Sequence, residues 1–366
     1  MKRTSIILAL ALVIALLTGC AGTPVVYYSD CTCPTGAHTE TPVETTAPVE
    51  TITPVESIPV AEGAVKTGVA IVASALESKS AGDADGEAKY DVSVVAVTVD
   101  DNGVIQSCII DSIGTSVLFD VNGSIVSDLT AEIPTKNELG DAYNMKTYGG
   151  AVAEWYEQAA ALASFACGKT VEELRAGAVD ETGHAVDADL ATTATIYLGG
   201  YVSAIENAVF NAEHLGAQAG DELKLAISSS VDGSKNADAE NEGLCELYTT
   251  AVALTMKDGV ITSAQIDAVQ GKVNFDVTGT ITGGTDGIFA TKNMLGEQYG
   301  MKAWGGAIAE WNEQAASFAA YITGKTADEV AGIAVDESTK PTDADLLTSV
   351  TIKIGEFQAL IAKACN

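Results

Sequence analysis

The sequence predicts an α+β fold in which two tandem copies of one domain follow an export signal and a disordered stalk. Two observations support this prediction. The string YNMKTYGGAVAEWYEQAA, which begins at Tyr143, recurs 156 positions later as YGMKAWGGAIAEWNEQAA, which begins at Tyr299. Within each copy, short segments rich in Val and Ile precede helical segments, and this order is typical of an antiparallel sheet covered by helices.

The first 19 residues have the features of a lipoprotein signal peptide. Lys2 and Arg3 precede an apolar run from Ile6 to Leu17, which is too short for a permanent transmembrane helix. The run ends on LTGC at Cys20, which resembles the lipobox of bacterial lipoproteins. The resemblance implies that Cys20 is lipidated, so we expect an extracytoplasmic protein anchored to the cell membrane by lipid. An ordinary cleaved signal with a chance cysteine is the alternative.

Residues 20–62 are expected to form a disordered stalk. Within it, residues 42–59 repeat a six-residue pattern, PVETTA-PVETIT-PVESIP, in which each proline blocks both helix and sheet. In an extended form, at about 3.1 Å per residue, the stretch from Ala21 to Val60 would reach on the order of 100 Å. Such a stalk could hold a folded domain clear of a membrane surface.

The charge of the chain argues against nucleic acid as a partner. Fifty acidic residues outnumber nineteen basic ones, which gives a net charge of −31. A surface of this sign repels the phosphates of nucleic acid and of anionic lipid headgroups. We therefore expect membrane attachment through the lipid alone.

Strands are predicted at the start of each copy, and the two copies are placed at residues 63–219 and 220–366. Turn signals such as Asp101-Asn102-Gly103 and Asp258-Gly259 separate short apolar segments, which is typical of an antiparallel meander. The predicted strands of the first copy are residues 67–76, 91–99, 104–111, 116–121 and 124–127.

Helices are predicted to follow the strands. Trp155, Ala159, Leu162 and Ala166 recur at helical spacing, and Gly168 is well placed to end that helix. We interpret the tryptophan as an anchor of the helix on the sheet. Each copy is then predicted to end in a short strand and a closing helix, at Ala194–Leu198 and 201–213 in the first copy and at Val350–Ile354 and 356–364 in the second.

The shared string suggests a ligand site. Lys146 and Lys302 are followed by Tyr148 and Trp304 and then by a Gly-Gly pair ahead of a helix, where open backbone N–H groups and the helix dipole favour an anion. We predict that a small anionic or aromatic ligand binds there. Alternatively, the glycines only let the chain turn, and the lysines pair with surface carboxylates. The other lysines at matching places are Lys136, Lys292, Lys169 and Lys325.

Part of each copy resembles the bacterial FMN-binding domain, which occurs in extracellular flavoproteins and membrane-linked electron carriers. Asp258-Gly259-Val260-Ile261 fits the strand turn of that family, and the segments that end at Thr195 and Thr351 are similar to its late Asp-x-x-Ser-Gly-Ala-Thr pattern, with Thr192-Thr193 in place of Ser-Gly in the first copy. The resemblance implies FMN as the cofactor, bound through its phosphate to Thr195 and Thr351, and an electron-transfer role.

No catalytic residue and no metal site is predicted. The three histidines are His38, His184 and His214, and none recurs in the second copy. A Ser-His or Cys-His dyad, or a His/Cys metal cluster, therefore cannot occur in both copies. Of the seven cysteines, Cys20 lies in the lipobox, and Cys31 and Cys33 lie in the predicted stalk. The other four lie at non-equivalent positions of the two copies, and we favour buried free thiols over disulfides for them, although export permits disulfides. They are Cys108, Cys167, Cys245 and Cys365.

We therefore expect a cell-surface lipoprotein with two non-catalytic domains that bind a small ligand. The alternative is a structural or adhesive scaffold, in which the doubled domain gives avidity toward a protein or a glycan.

Overall fold

The structure is a computed structural model, and it describes residues 63–365. The predicted signal peptide, Cys20 and the predicted stalk lie outside these residues. All the described residues belong to one compact unit. Within this range, no helix is both long and apolar enough to cross a membrane.

The prediction of an α+β fold with antiparallel sheets is confirmed. Two four-stranded sheets have the orders β3-β2-β1-β8 and β4-β5-β6-β7, and all their pairings are antiparallel. The strands are β1 Lys66–Ser74, β2 Gly86–Val99, β3 Ile105–Phe119, β4 Glu222–Ser230, β5 Gly243–Lys257, β6 Val260–Phe275, β7 Ile281–Gly283 and β8 Ile288–Phe289. We call residues 63–219 the first half and residues 220–365 the second half. The first sheet is completed by β8, which comes from the second half.

Eleven α-helices lie among the described residues. Those of the first half are α1 Lys136–Leu139, α2 Met145–Gly149, α3 Trp155–Ala166, α4 Val171–Ala178, α5 Ala188–Thr193 and α6 Gly199–Phe210. Those of the second half are α7 Lys292–Leu295, α8 Met301–Gly305, α9 Trp311–Ile322, α10 Ala327–Ala331 and α11 Gly355–Cys365. A 3-10 turn at Leu346–Thr348 takes the place that α5 has in the first half.

The two sheets pack face to face and share one hydrophobic core. Residues of both halves form this core, and its centre is a stack of Phe119 on Phe275 with ring centroids 4.2 Å apart. Tyr90 crosses between the sheets, and its hydroxyl donates to the carbonyl of Cys245 at 2.7 Å. Two further cores lie on the outer faces, where each sheet is covered by the helices of its own half. The layers therefore run helices, sheet, sheet, helices.

Two of the predicted strand boundaries are wrong. Residues 104–111 and 116–121 belong to one continuous strand, β3, which pairs with β2 along its whole length. Residues 124–127 form no strand, because only Ile125 makes a bridge, to Phe119. The turn residues that separated these segments in the sequence therefore did not all mark chain reversals.

The predicted strands Ala194–Leu198 and Val350–Ile354 are also wrong, since both segments are irregular. The backbone N–H groups of Thr195 and Ile196 donate to the side-chain oxygen of Gln158 on α3, at 2.8 and 3.1 Å. A buried glutamine supplies the acceptor that a neighbouring strand would otherwise supply, so β-branched residues are held extended without joining a sheet.

The correspondence between the two halves changes from an offset of 156 residues to one of 157 along β5. The turn before β6 has only two residues, Asp258-Gly259, whereas residues 100–104 join β2 to β3. In the first sheet Val69 pairs with Ala96, and in the second sheet Leu225 pairs with Ala253. Leu225 lies 156 positions after Val69, but Ala253 lies 157 positions after Ala96. Because side chains alternate along a strand, a shift of one residue changes the face on which each one lies. It places Tyr248 against the helices of the second half.

Candidate functional site

The backbone amides at the start of α3 and α9, the helices that follow the Gly-Gly pairs, are not open, contrary to the sequence prediction, because Glu154 and Glu157 form a capping box on α3, and the matching glutamates do so on α9. The backbone amides at the start of the short helices α2 and α8 are bonded as well. The carboxylate of Glu154 accepts hydrogen bonds from the N–H groups of Met145 and Lys146, at 2.8 and 3.1 Å. Glu310 makes the same two bonds in the second half, at 2.8 and 3.0 Å. Both glutamates are only 3% exposed. A buried carboxylate of the protein therefore holds the first amides of each short helix.

The side chains of the shared string point into solvent. The ammonium of Lys146 lies 3.8 Å from the carboxylate of Glu157 on a half-exposed surface. Tyr148 is 86% exposed and Trp304 is 91% exposed, and Lys302 is exposed as well. The Gly-Gly pair ends α2 rather than beginning α3, because Gly150 has the left-handed conformation of a helix end. The structure does not bring these four predicted residues together in a hollow.

Lys169 and Lys325 stabilise helix ends. The Lys169 ammonium donates to the carbonyl of Phe165 at 2.5 Å and lies 3.8 Å from the centre of that ring. Lys325 lies 4.6 Å from the ring of Tyr321, which is the matching residue of α9. A cation next to the last carbonyls of a helix interacts favourably with its dipole, so the structure accounts for both lysines without a ligand.

Lys292 is enclosed by aromatic rings. It is 4% exposed, and its ammonium lies 4.6 to 4.8 Å from the rings of Tyr248, Tyr299 and Trp311. It also donates to the hydroxyl of Tyr248 at 2.8 Å. Lys136 of the first half lies over only two rings, at 5.1 and 5.3 Å. The cation–π contacts and the hydrogen bond to Tyr248 hold α7 against the second sheet.

Two buried acids that the sequence reasoning missed support the same helices. Asp267 on β6 accepts from the N–H groups of Ala268 and Asn293, at 2.8 and 3.1 Å, and Asp111 has the matching place on β3. Burial raises the pKa of Asp267 to about 6, and burial lowers the pKa of Lys292 to about 8. The sequence did carry a signal for these two acids, since an aspartate occurs at the same place in an apolar strand of both halves.

A hollow of about 780 Å³ lies beside this lysine and is the candidate site. We call it the second-half hollow. Trp311 and Phe357 line it with their rings, Tyr248 and Thr351 with hydroxyl-bearing side chains, and Lys340 and Lys353 with ammonium groups. Of the residues predicted from the sequence, Thr351 lines the hollow, and Lys292 contacts two of its aromatic side chains.

The charges that line the second-half hollow are of two kinds. Its three carboxylates, those of Asp232, Glu246 and Glu356, each already have a serine or lysine partner. Lys340 and Lys353 are exposed, and within residues 63–365 neither makes an ion pair. Charges of both signs therefore line the hollow: Glu246 is paired with Lys272, Asp232 and Glu356 are hydrogen-bonded to neutral serines, and Lys340 and Lys353 are two exposed cations.

The corresponding place in the first half is occupied by an aromatic side chain, which is itself 59% exposed. Tyr197 stands at the position of Lys353 and packs on Gly183 so closely that a Cβ there would lie 2.1 Å from the ring. The second half has Thr339 at that position, with a φ of 64° that is rare for a β-branched residue. His184 replaces Lys340, and its ring packs edge-on against Tyr197. The two halves thus differ at the residues that decide whether this hollow exists.

The threonines implicated by the FMN resemblance are fixed in the same way in both halves. The backbone N–H of Thr351 donates to the side-chain oxygen of Gln314 at 2.8 Å, and its hydroxyl donates to the same oxygen at 3.1 Å. Thr195 makes the same contacts with Gln158, at 2.8 and 3.4 Å. Beyond the threonine the halves differ: a hollow lies beside Thr351, whereas the Tyr197 side chain lies there in the first half.

The two halves differ at the residue of the closing helix that contacts the tryptophan, which is Tyr201 on α6 and Phe357 on α11. In the first half, the indole N–H of Trp155 donates to the hydroxyl of Tyr201 at 3.2 Å. Phe357 has the matching position in the second half and packs edge-on against Trp311, with centroids 6.0 Å apart. Because phenylalanine has no oxygen, the N–H of Trp311 does not have the acceptor that Tyr201 provides.

No family model, no curated protein and no solved structure matches this chain. The resemblance to the FMN-binding domain therefore rests on the residues quoted above. Among the described residues, no group of three or more His, Cys, Asp or Glu side chains is arranged to hold a metal ion.

Proposed function

We propose that this chain is a lipid-anchored, extracytoplasmic protein with two tandem copies of one domain, which binds a small aromatic anion without catalysing a reaction. The second copy would bind the ligand in the second-half hollow. One observation carries the proposal: Lys340 and Lys353, two unpaired ammonium groups, line a hollow of about 780 Å³ together with the rings of Trp311 and Phe357. The first copy would serve as structural support.

Electrostatics favours an anion only at such a place. The net charge of −31 repels anions from most of the surface. Two ammonium groups close to a low-dielectric wall that includes Trp311 and Phe357 can offset that repulsion locally, and a flat ring gains about 25 cal/mol for each Å² of apolar surface that it buries there. A ligand with a planar ring and a phosphate or carboxylate satisfies both features.

FMN is the ligand that the sequence resemblance suggests, because it combines a planar ring system with a phosphate. An electron-transfer role follows if FMN is bound. Lipid on Cys20 and the stalk that follows it would then hold this carrier near the membrane.

Titration of FMN into the mature chain with Cys20→Ala, followed by flavin fluorescence, tests the proposal. We expect one FMN per chain, since the space in the first half is filled, whereas two equivalent copies would bind two. Lys340→Ala and Lys353→Ala should each weaken binding about tenfold, because each removes one charge-assisted hydrogen bond. The matched control is Lys302→Ala, which changes an exposed lysine outside the hollow and should leave affinity unchanged.

A closure variant provides a second test. Thr339→Gly combined with Lys353→Tyr gives the second half the residues that fill the space in the first half, Gly183 and Tyr197. The fold should be retained and FMN binding should be lost. Absence of FMN binding by the unaltered chain would remove the flavin proposal, and a stoichiometry of two would show that the second-half hollow is not the site.

The second candidate function is a structural or adhesive role toward a protein or a glycan. It is favoured by Tyr148 and Trp304, which project into solvent from matching positions and are 86% and 91% exposed. Exposed aromatic rings of this kind can stack on the apolar faces of sugars. The double change Tyr148→Ala and Trp304→Ala should abolish retention on an immobilised cell-wall glycan and leave FMN titration unchanged.

A further inference from the structure

We propose that Cys108 and Cys167 form a disulfide when the chain is exported to an oxidising compartment, and that this bond ties the end of α3 to β3. The proposal depends on the proposed export of the chain. It is independent of the ligand of the second-half hollow.

Backbone hydrogen bonds bring the two segments together. The chain that leaves α3 lies against the start of β3, where the N–H of Gly168 donates to the carbonyl of Ile105 at 2.8 Å and the N–H of Ile105 donates to the carbonyl of Lys169 at 2.9 Å. Cys167 immediately precedes this contact, and Cys108 lies three residues along β3 from it.

The two sulfur-bearing side chains share neighbours. The thiol of Cys167 donates to the carbonyl of Ala163 at 3.3 Å, and Ala163 lines a small cavity together with Cys108. Burial raises the pKa of both thiols.

Comparison of the halves shows that the two cysteines occur as a pair. The matching positions in the second half hold Ala264 and Thr323, and both of these residues line one groove of about 630 Å³. The hydroxyl of Thr323 donates to the carbonyl of Ala319 at 3.2 Å, as the thiol of Cys167 does to Ala163. The two positions therefore face one groove in the second half, and cysteine is found at both of them or at neither.

The other two described cysteines are placed differently. Cys245 is buried in the core between the sheets. Cys365 lies on α11, where its sulfur is 3.3 Å from that of Met256. Neither lies beside the pair, so Cys108 and Cys167 are the partners that the geometry selects among the described residues.

The reaction is thiol–disulfide exchange with an external disulfide. The thiolate of one cysteine attacks a sulfur of that disulfide and releases a thiol, and the second cysteine then attacks the mixed disulfide and releases a second thiol. The protein loses two protons and two electrons, and the external disulfide is reduced to two thiols. Burial raises the pKa of Cys108 and of Cys167, so few thiolates exist in the folded chain. The bond should therefore form during folding.

The cross-link would close a loop that contains α1, α2 and all of α3. A closed loop of this length restricts the unfolded chain, so reduction should lower the melting temperature by on the order of 5 to 10 °C. Cys108→Ser should lower it by a similar amount and should make it insensitive to a reductant.

Peptide mapping of exported chain after alkylation of free thiols under denaturing conditions tests the proposal. We expect one linked peptide pair that contains Cys108 and Cys167, with Cys245 and Cys365 alkylated. Alkylation of all four residues, or a bridge between any other two of them, would overturn it.

Two further measurements test whether the bond depends on the positions of the two cysteines or on the compartment in which the chain folds. Refolding of reduced chain with oxidised glutathione should produce the same bridge without export, and failure to do so would refute the geometry. Ala264→Cys combined with Thr323→Cys should create a second bridge at the matching place of the second half. If that pair stays reduced under the same refolding conditions, the argument from matching positions is wrong.

Discussion

Phe275→Ala tests whether the two halves depend on one core. Phe275 is fully buried, and its ring stacks on Phe119 at 4.2 Å and an interplanar angle of 12°. Gly243 lies so close that a Cβ there would be 2.3 Å from the ring of Phe275. Removal of a buried phenylalanine ring costs about 3 to 5 kcal/mol, and a stacked pair adds about 0.5 to 1.5 kcal/mol beyond its area. We expect a loss of about 4 kcal/mol in the free energy of unfolding.

The assay is urea unfolding of the chain, followed by tryptophan fluorescence. Trp304→Phe with Trp311→Phe leaves Trp155 as a reporter of the first half, and Trp304→Phe with Trp155→Phe leaves Trp311 for the second. Because the ring of Phe275 is shared, Phe275→Ala should lower both midpoints equally. Phe119→Ala should couple to it by about 1 kcal/mol in a double-mutant cycle. A shift confined to the second half would refute the shared core.

Two further predictions concern buried carboxylates. Burial raises the pKa of Asp267 from 3.8 to about 6, so the folded chain keeps a proton that the unfolded chain releases between these values. This stabilisation is complete below pH 4 and is lost, by about 3 kcal/mol, as the pH rises to 6. Asp267→Asn should flatten the dependence of the urea midpoint on pH, and exposed Asp286→Asn should not. Glu310→Ala leaves two amides of α8 without an acceptor, so it should lower the free energy of unfolding by about 1 to 3 kcal/mol. It should also speed proteolysis at α8. The control Glu297→Ala, at an exposed position, should do neither.

The recurrence in the sequence was sufficient to predict an α+β fold with antiparallel strands and its longest helices. Trp155 and its partners at helical spacing do form α3, and Trp155 is buried on the sheet as interpreted. These features depend on the period of apolar residues along the chain, which local sequence carries directly. The closing strands could not be predicted in this way, because Thr195 and Ile196 are β-branched but receive their hydrogen bonds from Gln158, 37 and 38 residues away.

The charge of a residue alone did not locate the site. Lys146 and Lys302 recur with an aromatic residue and glycines, but the helices that follow the glycines begin with capping boxes formed by their own glutamates. Lys340 and Lys353 were not singled out because neither recurs in the first half. A search for shared residues cannot find a site that exists because the two halves differ.

By itself, the sequence determined the order and type of most elements, the shared string and the sign of the net charge, since each of these depends on residues close together in the chain. Only the tertiary structure decided that the two sheets share a core, and that a hollow opens beside Thr351 but not beside Thr195. Both outcomes depend on side chains that meet across long stretches of chain, such as Phe119 with Phe275, and no local pattern records which residues will meet.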